Sequence, residues 1–193
     1  MGKIACLAVF ALYSAAAWAQ ADPALLAKLR QGGYVLFLRH TSTDFSQNDQ
    51  KMTSYEDCAT QRNLTDKGRD EARALGAAIK RLEIPIGTVY ASPFCRTQET
   101  ARLAFGRAER TNEARGGPAN TNDPTRYDPL RKLLATRPAA GRNNVLSSHG
   151  NPFYAVFGPP YLAEGEMAVV DPSAFVVVGR IRLEDWPAFD HRQ

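Results

Sequence analysis

The apolar run Tyr34–Leu38, "YVLFL", constrains the fold more than any other feature of the sequence. Five apolar residues without polar alternation are typical of a strand that is covered on both faces, as in a parallel sheet between helices. The run ends abruptly in Arg39 and His40, followed by small hydroxyl residues. A buried strand must reach solvent somewhere, so this pair is either a plain surface exit or a pair of side chains that the strand delivers to a site.

Helices and strands alternate along the rest of the chain. Periodicity and breaking residues predict strands over 34–38, 88–92, 144–149 and 174–183, the last at a sheet edge, and helices over 23–31, 65–82, 96–105, 128–137 and 151–158. In the fourth helix, Asp128 is the predicted cap and Pro129 the first helical residue. The polar segments 41–63 and 106–127 are predicted loops. The pattern predicts one domain over residues 22–193, an α/β three-layer sandwich with a mostly parallel central sheet and helices on both faces.

The first nineteen residues have a different composition from the rest. A single lysine, Lys3, precedes an apolar stretch, and small residues surround Trp18. This pattern is typical of a secretory signal peptide over 1–19, cleaved after Ala19 or, as a second option, after Ala21. The mature protein is therefore expected in the periplasm or secreted, with no stable membrane insertion; a retained membrane anchor is the alternative.

Charge and cysteine content narrow the function classes. Loss of Lys3 leaves 23 basic residues against 20 acidic ones, and no basic run is interleaved with aromatic residues, so we expect no nucleic-acid partner. Two cysteines remain in the mature chain, Cys58 and Cys95. In an oxidising compartment this even count predicts a disulfide, with two free thiols as the alternative.

Three predicted strands end in residues that bind anions. The first ends in Arg39 and His40, the second leads to Arg96 in the opening turn of the next helix, and the third ends in His149 before Gly150. Because the carboxyl ends of parallel strands lie at one edge of a sheet, these side chains are expected to meet there. Two guanidinium groups and two imidazoles around one volume favour a phosphate group. The remaining histidine of the mature chain, His191, lies in the charged tail, where a surface role is expected.

Four motifs, in order, resemble the histidine phosphatase superfamily, which has the phosphoglycerate-mutase-like fold. They are "LRHTSTD", "QRNLTDKGRDEA", "YASPFCRTQETA" and "LSSHGNP", and they span residues 34–152. The short spacing between Arg96 and His149 is similar to that of short, single-domain bacterial members. The resemblance implies a phosphatase that uses no metal or other cofactor.

The resemblance also implies roles for individual residues. His40 is the expected nucleophile, Arg39 and Arg96 hold the phosphoryl oxygens, and His149 is a charged donor to the phosphoryl group. Arg62 is a further candidate for substrate binding, with a surface salt bridge as the alternative. Thr43 and Ser148 are candidate hydroxyl donors.

The sequence departs from the family pattern at two points. Thr41 stands where the family usually has glycine, and it is expected either to narrow the pocket or to supply a hydroxyl. The family's general acid has no clear equivalent. Glu113 is the first candidate, followed by Asp123 and, further along, Glu166, and some short members manage without this acid.

The expected function is therefore hydrolysis of phosphomonoesters or related phosphoryl groups through a phosphohistidine on His40. A non-catalytic anion-binding module on the same fold and a phosphomutase are the alternatives. A serine hydrolase is excluded because no Gly-x-Ser-x-Gly motif is present. Envelope phosphosugars, nucleotides and phosphorylated proteins all remain candidate substrates, and specificity is expected in segments 41–63 and 106–127.

Overall fold

A mixed sheet of six strands lies at the centre of a computed structural model that describes residues 22–192. The strands are β1 Val35–Arg39, β2 Ile86–Ala91, β3 Glu109–Arg110, β4 Asn143–Ser148, β5 Met167–Asp171 and β6 Val176–Ile181. Their spatial order is β3-β2-β4-β1-β5-β6. The first four in that order are parallel, and β5 and β6 extend the sheet in antiparallel fashion. The predicted signal peptide, residues 1–19, and the side chain of His191 lie outside the description.

Helices cover both faces of the sheet. The α-helices are α1 Pro23–Gln31, α2 Asp66–Arg81, α3 Cys95–Phe105, α4 Asp128–Leu134 and α5 Gly150–Phe157, and the 3-10 segments are Cys58–Thr60, Asn112–Ala114 and Leu183–Arg192. Helices α1, α2 and α3 pack on one face with the last 3-10 segment, and α4 and α5 pack on the other. The predicted three-layer α/β sandwich is therefore confirmed. None of the described helices is long and apolar enough to cross a membrane.

Strand β1 explains why the apolar run in the sequence is continuous. Leu36 and Leu38 pack into the core under α1, α2 and α3, whereas Val35 and Phe37 pack into the core under α4 and α5. All four side chains are buried. Burial of each such side chain stabilises the fold by roughly 1.5–3 kcal/mol, so a polar residue on either face of β1 would be costly.

The structure differs from the sequence prediction in three elements. Strand β5 was not predicted. Its apolar run is short and directly follows a glycine-containing turn, so the run does not stand out as a separate element in the sequence. The predicted loop 106–127 contains the two-residue strand β3 and a 3-10 turn. Helix α4 begins at Asp128, so Asp128 is its first residue and not its cap; Tyr127 occupies the N-cap position and makes no side-chain cap hydrogen bond.

The pairing of β1 with β4 fixes the position of two histidines. These neighbours are parallel, and their register places Arg39 opposite Ser148. The His40 N–H continues the ladder by donating to the Ser148 carbonyl at 3.1 Å. His40 and His149 are the next residues on the two strands, so the sheet delivers both to the same edge.

Candidate active site

A cleft of about 540 Å³ opens at the carboxyl ends of β1 and β4. The structure brings together in it the four residues that the sequence placed at strand ends, Arg39, His40, Arg96 and His149; we call these four the cleft floor. Two loop segments, residues 47–62 and 116–118, contribute further lining residues, and we call these the cleft wall. The lining consists of Arg39, His40, Gln47, Asn48, Asp49, Arg62, Phe94, Arg96, Gly116, Gly117, Pro118, His149, Gly150, Asn151 and Tyr161.

His40 is held in one tautomer. Its ring is buried, with 1% exposure, and Nδ1 lies 3.0 Å from the carbonyl oxygen of Thr41. Since a carbonyl only accepts hydrogen bonds, Nδ1 carries the proton and Nε2 keeps its lone pair. Burial, and then the positive charge of Arg96, hold the pKa of His40 well below its usual value. The ring is therefore neutral at pH 7, with Nε2 as a nucleophilic nitrogen.

His149 faces His40 across the floor. The ring centroids are 5.5 Å apart in an edge-to-face arrangement, and Nε2 of His149 lies 2.8 Å from the Ser92 hydroxyl. Burial first, and then Arg96 and His40, hold the pKa of His149 well below its usual value. His149 is thus neutral in the protein alone, which differs from the charged donor that the resemblance implied.

The arginines of the floor are oriented by fixed acceptors. Arg39 donates from Nη1 to the Leu162 carbonyl at 2.6 Å. Arg96, in the first turn of α3, donates from Nη1 and Nη2 to the two carboxylate oxygens of Asp49, at 3.0 Å each. Burial is the main cause that lowers the pKa of both guanidinium groups, and both remain charged at neutral pH.

The cleft has unused donor capacity. The Nε atoms of Arg39, Arg62 and Arg96 are buried, and within residues 22–192 none of them has a hydrogen-bond acceptor. Gly150 leaves space for a ligand beside Arg39, because a Cβ at position 150 would lie 3.4 Å from Nη1 of Arg39. A buried set of cationic donors of this kind is suited to an oxyanion with several acceptor oxygens.

Three hydroxyl groups that the sequence offered to the cleft are used elsewhere. The Thr43 hydroxyl donates to Glu164 at 2.7 Å, and the Ser148 hydroxyl donates to the Ala114 carbonyl at 2.7 Å. The Thr41 hydroxyl lies 3.2 Å from that of Thr100 on α3. Thr41 is not a lining residue, so it neither narrows the cleft nor supplies a hydroxyl to it.

The candidate acids also lie outside the cleft. Glu113 is exposed and accepts from the Thr111 hydroxyl, which lowers its pKa, so it is ionised at neutral pH. Asp123 is likewise exposed and bonded to Thr125, and Glu166 is buried in an ion pair with Arg180. The structure therefore brings none of the three to the floor.

Sequence reasoning missed two carboxylates near the floor. Asp49 lies in the wall and is the one carboxylate among the described lining residues. Glu164 lies behind the floor, 3.6 Å from Nη2 of Arg39 and 3.9 Å from Nδ1 of His40. Asp49 belongs to no motif in the sequence, and Glu164 stands two residues before the candidate acid Glu166 in "LAEGEMAVV".

A disulfide joins the wall to the floor, as the sequence predicted. Cys58 and Cys95 are bonded, with their Cα atoms 5.7 Å apart. Cys95 directly precedes Arg96, and its N–H donates to the side chain of Gln61 at 2.9 Å. The predicted substrate contact Arg62 follows Gln61 and lines the cleft. The bridge therefore attaches the polar segment 41–63 to the start of α3.

Comparison with known proteins agrees with this site. Residues 35–115 match the model of the histidine phosphatase superfamily, branch 1. The matched segment contains the Arg39-His40 pair and the turn that carries Arg96. No curated protein is significantly similar to the chain.

Solved structures share the fold over most of the chain. SixA from Agrobacterium tumefaciens is 15% identical with a TM-score of 0.54, covering 77% of this chain and 97% of that one. The protein histidine phosphatase SixA complexed with tungstate is 20% identical with a TM-score of 0.53, covering 79% and 98%. A histidine-to-alanine variant of phosphoserine phosphatase from Entamoeba histolytica, in complex with phosphoserine, is 13% identical with a TM-score of 0.54, covering 79% and 98%.

At these identities the solved structures establish the fold, and the family match establishes the motifs. The chain therefore resembles the histidine phosphatase superfamily over residues 35–115 and shares the fold of the solved structures named above.

Proposed function

We propose that this protein is an exported phosphatase that hydrolyses phosphomonoesters or related phosphoryl groups through a phosphohistidine on His40, with no metal cofactor. One observation carries the proposal. A buried, neutral imidazole whose proton is held on Nδ1 lines a cleft together with three guanidinium groups. The nucleophile and the groups that would bind a phosphate are thus in one volume.

The first step is attack by His40 on phosphorus. The Nε2 lone pair forms the N–P bond, the bond from phosphorus to the ester oxygen breaks, and its electron pair leaves with that oxygen, which takes a proton from water. A neutral imidazole is required for this attack, and the lowered pKa of His40 keeps it in that form at neutral pH. A second water then attacks phosphorus, the N–P bond breaks with its electron pair returning to Nε2, and the proton lost by this water neutralises the hydroxide left by the first step, so orthophosphate is released.

Arg39, Arg96 and Arg62 are the proposed ligands of the phosphoryl oxygens. The arginines keep their charge in the buried cleft, so they stabilise the negative charge of the oxygens as it redistributes in the transition state. Arg96 also lies in the opening turn of α3, where backbone N–H groups favour an anion.

His149 and Ser92 complete the proposed phosphate site. A neutral His149 still donates one N–H, and the Ser92 hydroxyl 2.8 Å from Nε2 helps to fix the ring. Binding of a dianionic phosphate would raise the pKa of His149, because the negative charge offsets the arginines that lower it. In the complex, His149 would then act as the charged donor that the family resemblance implies.

Export is supported by two features. The N-terminal segment has the pattern of a signal peptide, and a disulfide joins Cys58 to Cys95, as expected in an oxidising compartment. The substrate is a phosphorylated small molecule or envelope component. One structural neighbour is named a protein histidine phosphatase and another was determined with phosphoserine, so both phosphoramidates and phosphomonoesters belong in the test.

The test is an assay of the mature protein against a panel of phosphorylated compounds with chelator present, beside the His40→Ala variant. We expect turnover by the wild type, and a rate lower by more than about 10³-fold for the variant, since the nucleophile is lost. Thermal unfolding of both proteins controls for folding. Turnover by His40→Ala at the wild-type rate would refute the proposal.

The same assay separates the alternatives. Tight binding of orthophosphate with no turnover of any compound would favour a non-catalytic anion-binding module. Transfer of the phosphoryl group to a second hydroxyl compound in place of water would favour a phosphomutase.

A further inference from the structure

We infer that Glu164 is a positioning residue that supplies the counter-charge for the cation formed on His40 when it is phosphorylated. The inference rests on the proposed function, because it concerns the phosphohistidine step. It assigns a role to a residue that no motif of the sequence singled out. Glu164 acts through His40 and Arg39, and it is not a lining residue of the cleft.

The position of Glu164 is fixed by hydrogen bonds on both carboxylate oxygens. Oε1 accepts from the Thr43 hydroxyl at 2.7 Å, and Oε2 accepts from the Thr43 N–H at 3.1 Å. The side chain is only 15% exposed. The next residue, Gly165, donates its N–H to the carbonyl of His40 at 2.9 Å, which ties this turn to the end of β1.

The turn admits only glycine at position 165. The φ angle of Gly165 is +77°, and a Cβ there would lie 2.4 Å from the Leu183 side chain. The backbone beside Glu164 is thus held from two sides, by the end of β1 and by the last 3-10 segment. The carboxylate of Glu164 is therefore held in a fixed position beside the ring of His40.

The charge balance of the floor changes during the reaction. In the protein alone His40 is neutral, because burial and the nearby arginines oppose a positive ring. When Nε2 forms the N–P bond, the ring keeps its Nδ1 proton and gains one positive charge. The environment that keeps the nucleophile neutral therefore opposes the intermediate that it forms.

Glu164 offsets this cost on the side of the ring away from phosphorus. Its Oε1 lies 3.9 Å from Nδ1 of His40, whereas the phosphoryl group bonds to Nε2. Among the carboxylates whose side chains the structure describes, no other makes an ion-pair contact with either cleft histidine. His149, which forms no covalent bond in the proposed reaction, has no such contact. The carboxylate thus lies beside the imidazole that becomes cationic by forming the N–P bond.

The chain offers a matched control in Glu71. Its Oε2 accepts from the Ser42 N–H at 3.0 Å, as Glu164 does from the next residue along, Thr43, and its side chain is 16% exposed against 15% for Glu164. The two carboxylates therefore support the same segment after β1 at nearly equal exposure. Of the two, only Glu164 contacts the floor.

The experiment compares Glu164→Gln, Glu164→Asp and Glu71→Gln in two measurements. Rapid-quench kinetics gives the rate of His40 phosphorylation, and competitive inhibition by orthophosphate gives oxyanion affinity. For Glu164→Gln we expect phosphorylation to slow by about tenfold to a hundredfold, because the counter-charge is lost. Orthophosphate affinity should stay equal or rise, because a negative charge near Arg39 is removed. Glu71→Gln should change both values by less than about threefold.

The aspartate variant separates charge from structure. If Glu164 acts by charge, Glu164→Asp phosphorylates faster than Glu164→Gln, although the glutamine is closer in shape. Equal losses of rate and orthophosphate affinity, or a faster glutamine variant, would overturn the inference in favour of a structural role. Failure of the proposed function is recognised separately, either by turnover in His40→Ala or by the absence of any turnover in the wild type.

Discussion

The cleft floor and the cleft wall are built in different ways. The floor residues lie at the ends of β1 and β4 or at the start of α3. Main-chain hydrogen bonds therefore position them, such as the bond from the His40 N–H to the Ser148 carbonyl. The wall has no strand among its lining residues and is held by side chains. Asp49 accepts from the Arg62 N–H at 2.9 Å, and the Cys58–Cys95 bridge anchors the 3-10 turn at 58–60.

This difference indicates that the floor is suited to the reaction at phosphorus and the wall to selection of the substrate. Positions fixed by strand register vary little in geometry, which suits the atoms that attack and bind phosphorus. Loops tolerate change, so the wall is suited to recognising the rest of the substrate. The disulfide limits the freedom of the wall; closing its 37-residue separation is worth about 4 kcal/mol in the chain-entropy model.

After the loss of the nucleophile His40, the largest effect in the comparison of floor and wall is predicted for Arg96. Arg96→Ala removes a charged, forked donor from the phosphate site, and we expect kcat/KM to fall by about 10²- to 10³-fold. Steady-state kinetics on the best substrate of the panel provides the measurement.

Arg102→Ala is the matched control for Arg96. Arg102 lies on the same helix, and its guanidinium donates to the Gln98 side chain outside the cleft. We expect kcat/KM of Arg102→Ala to stay within about threefold of the wild type, because this exposed guanidinium does not line the cleft and surface substitutions have small effects. Equal losses in the two variants would mean that position on α3, and not membership of the floor, determines the effect.

A smaller effect is predicted where the wall meets the floor. Asp49 occupies both Nη atoms of Arg96, so an incoming phosphate competes with this carboxylate. Asp49→Asn weakens the competitor, and we expect orthophosphate to bind about threefold to fivefold more tightly, equivalent to roughly 1 kcal/mol. The inhibition constant of orthophosphate measures this.

Asp57→Asn provides the comparison on the same loop. Asp57 caps the 3-10 turn at 58–60 and does not line the cleft, so its variant should leave the inhibition constant unchanged. If Asp49→Asn instead binds orthophosphate more weakly, Asp49 orients Arg96 for the phosphate. The wall would then contribute to phosphate binding as well as to recognition of the rest of the substrate.

Three of the parallel strands, β1, β2 and β4, and the antiparallel edge strand β6 were predictable from the sequence, whereas β5 and β3 were not. The run at 34–38 is apolar without interruption because both faces of β1 are buried, and that signal is unambiguous. Strand β5 is also buried, but it directly follows the turn Glu164–Glu166, whose charges dominate the local pattern. Strand β3 has two exposed residues and no apolar periodicity at all.

The residues of the site divide in the same way, into those at strand ends and those in loops. Arg39, His40, Arg96 and His149 were found because strand ends of a parallel sheet converge, so sequence order determines proximity. Asp49 and Glu164 reach the floor through loop conformations that no periodicity encodes. The hydroxyls of Thr43 and Ser148 were assigned to the cleft from proximity in sequence, but alternation and local hydrogen bonds direct both elsewhere.

The most direct test of the account is identification of the phosphorylated residue during turnover. The mature enzyme is mixed with its best substrate, quenched in base within milliseconds, and mapped by mass spectrometry. We predict phosphate on His40, stable in base and labile in acid, and none in His40→Ala. Phosphate on any other residue, or steady turnover with no phosphoenzyme at any time, would contradict the assignment of His40 as the nucleophile.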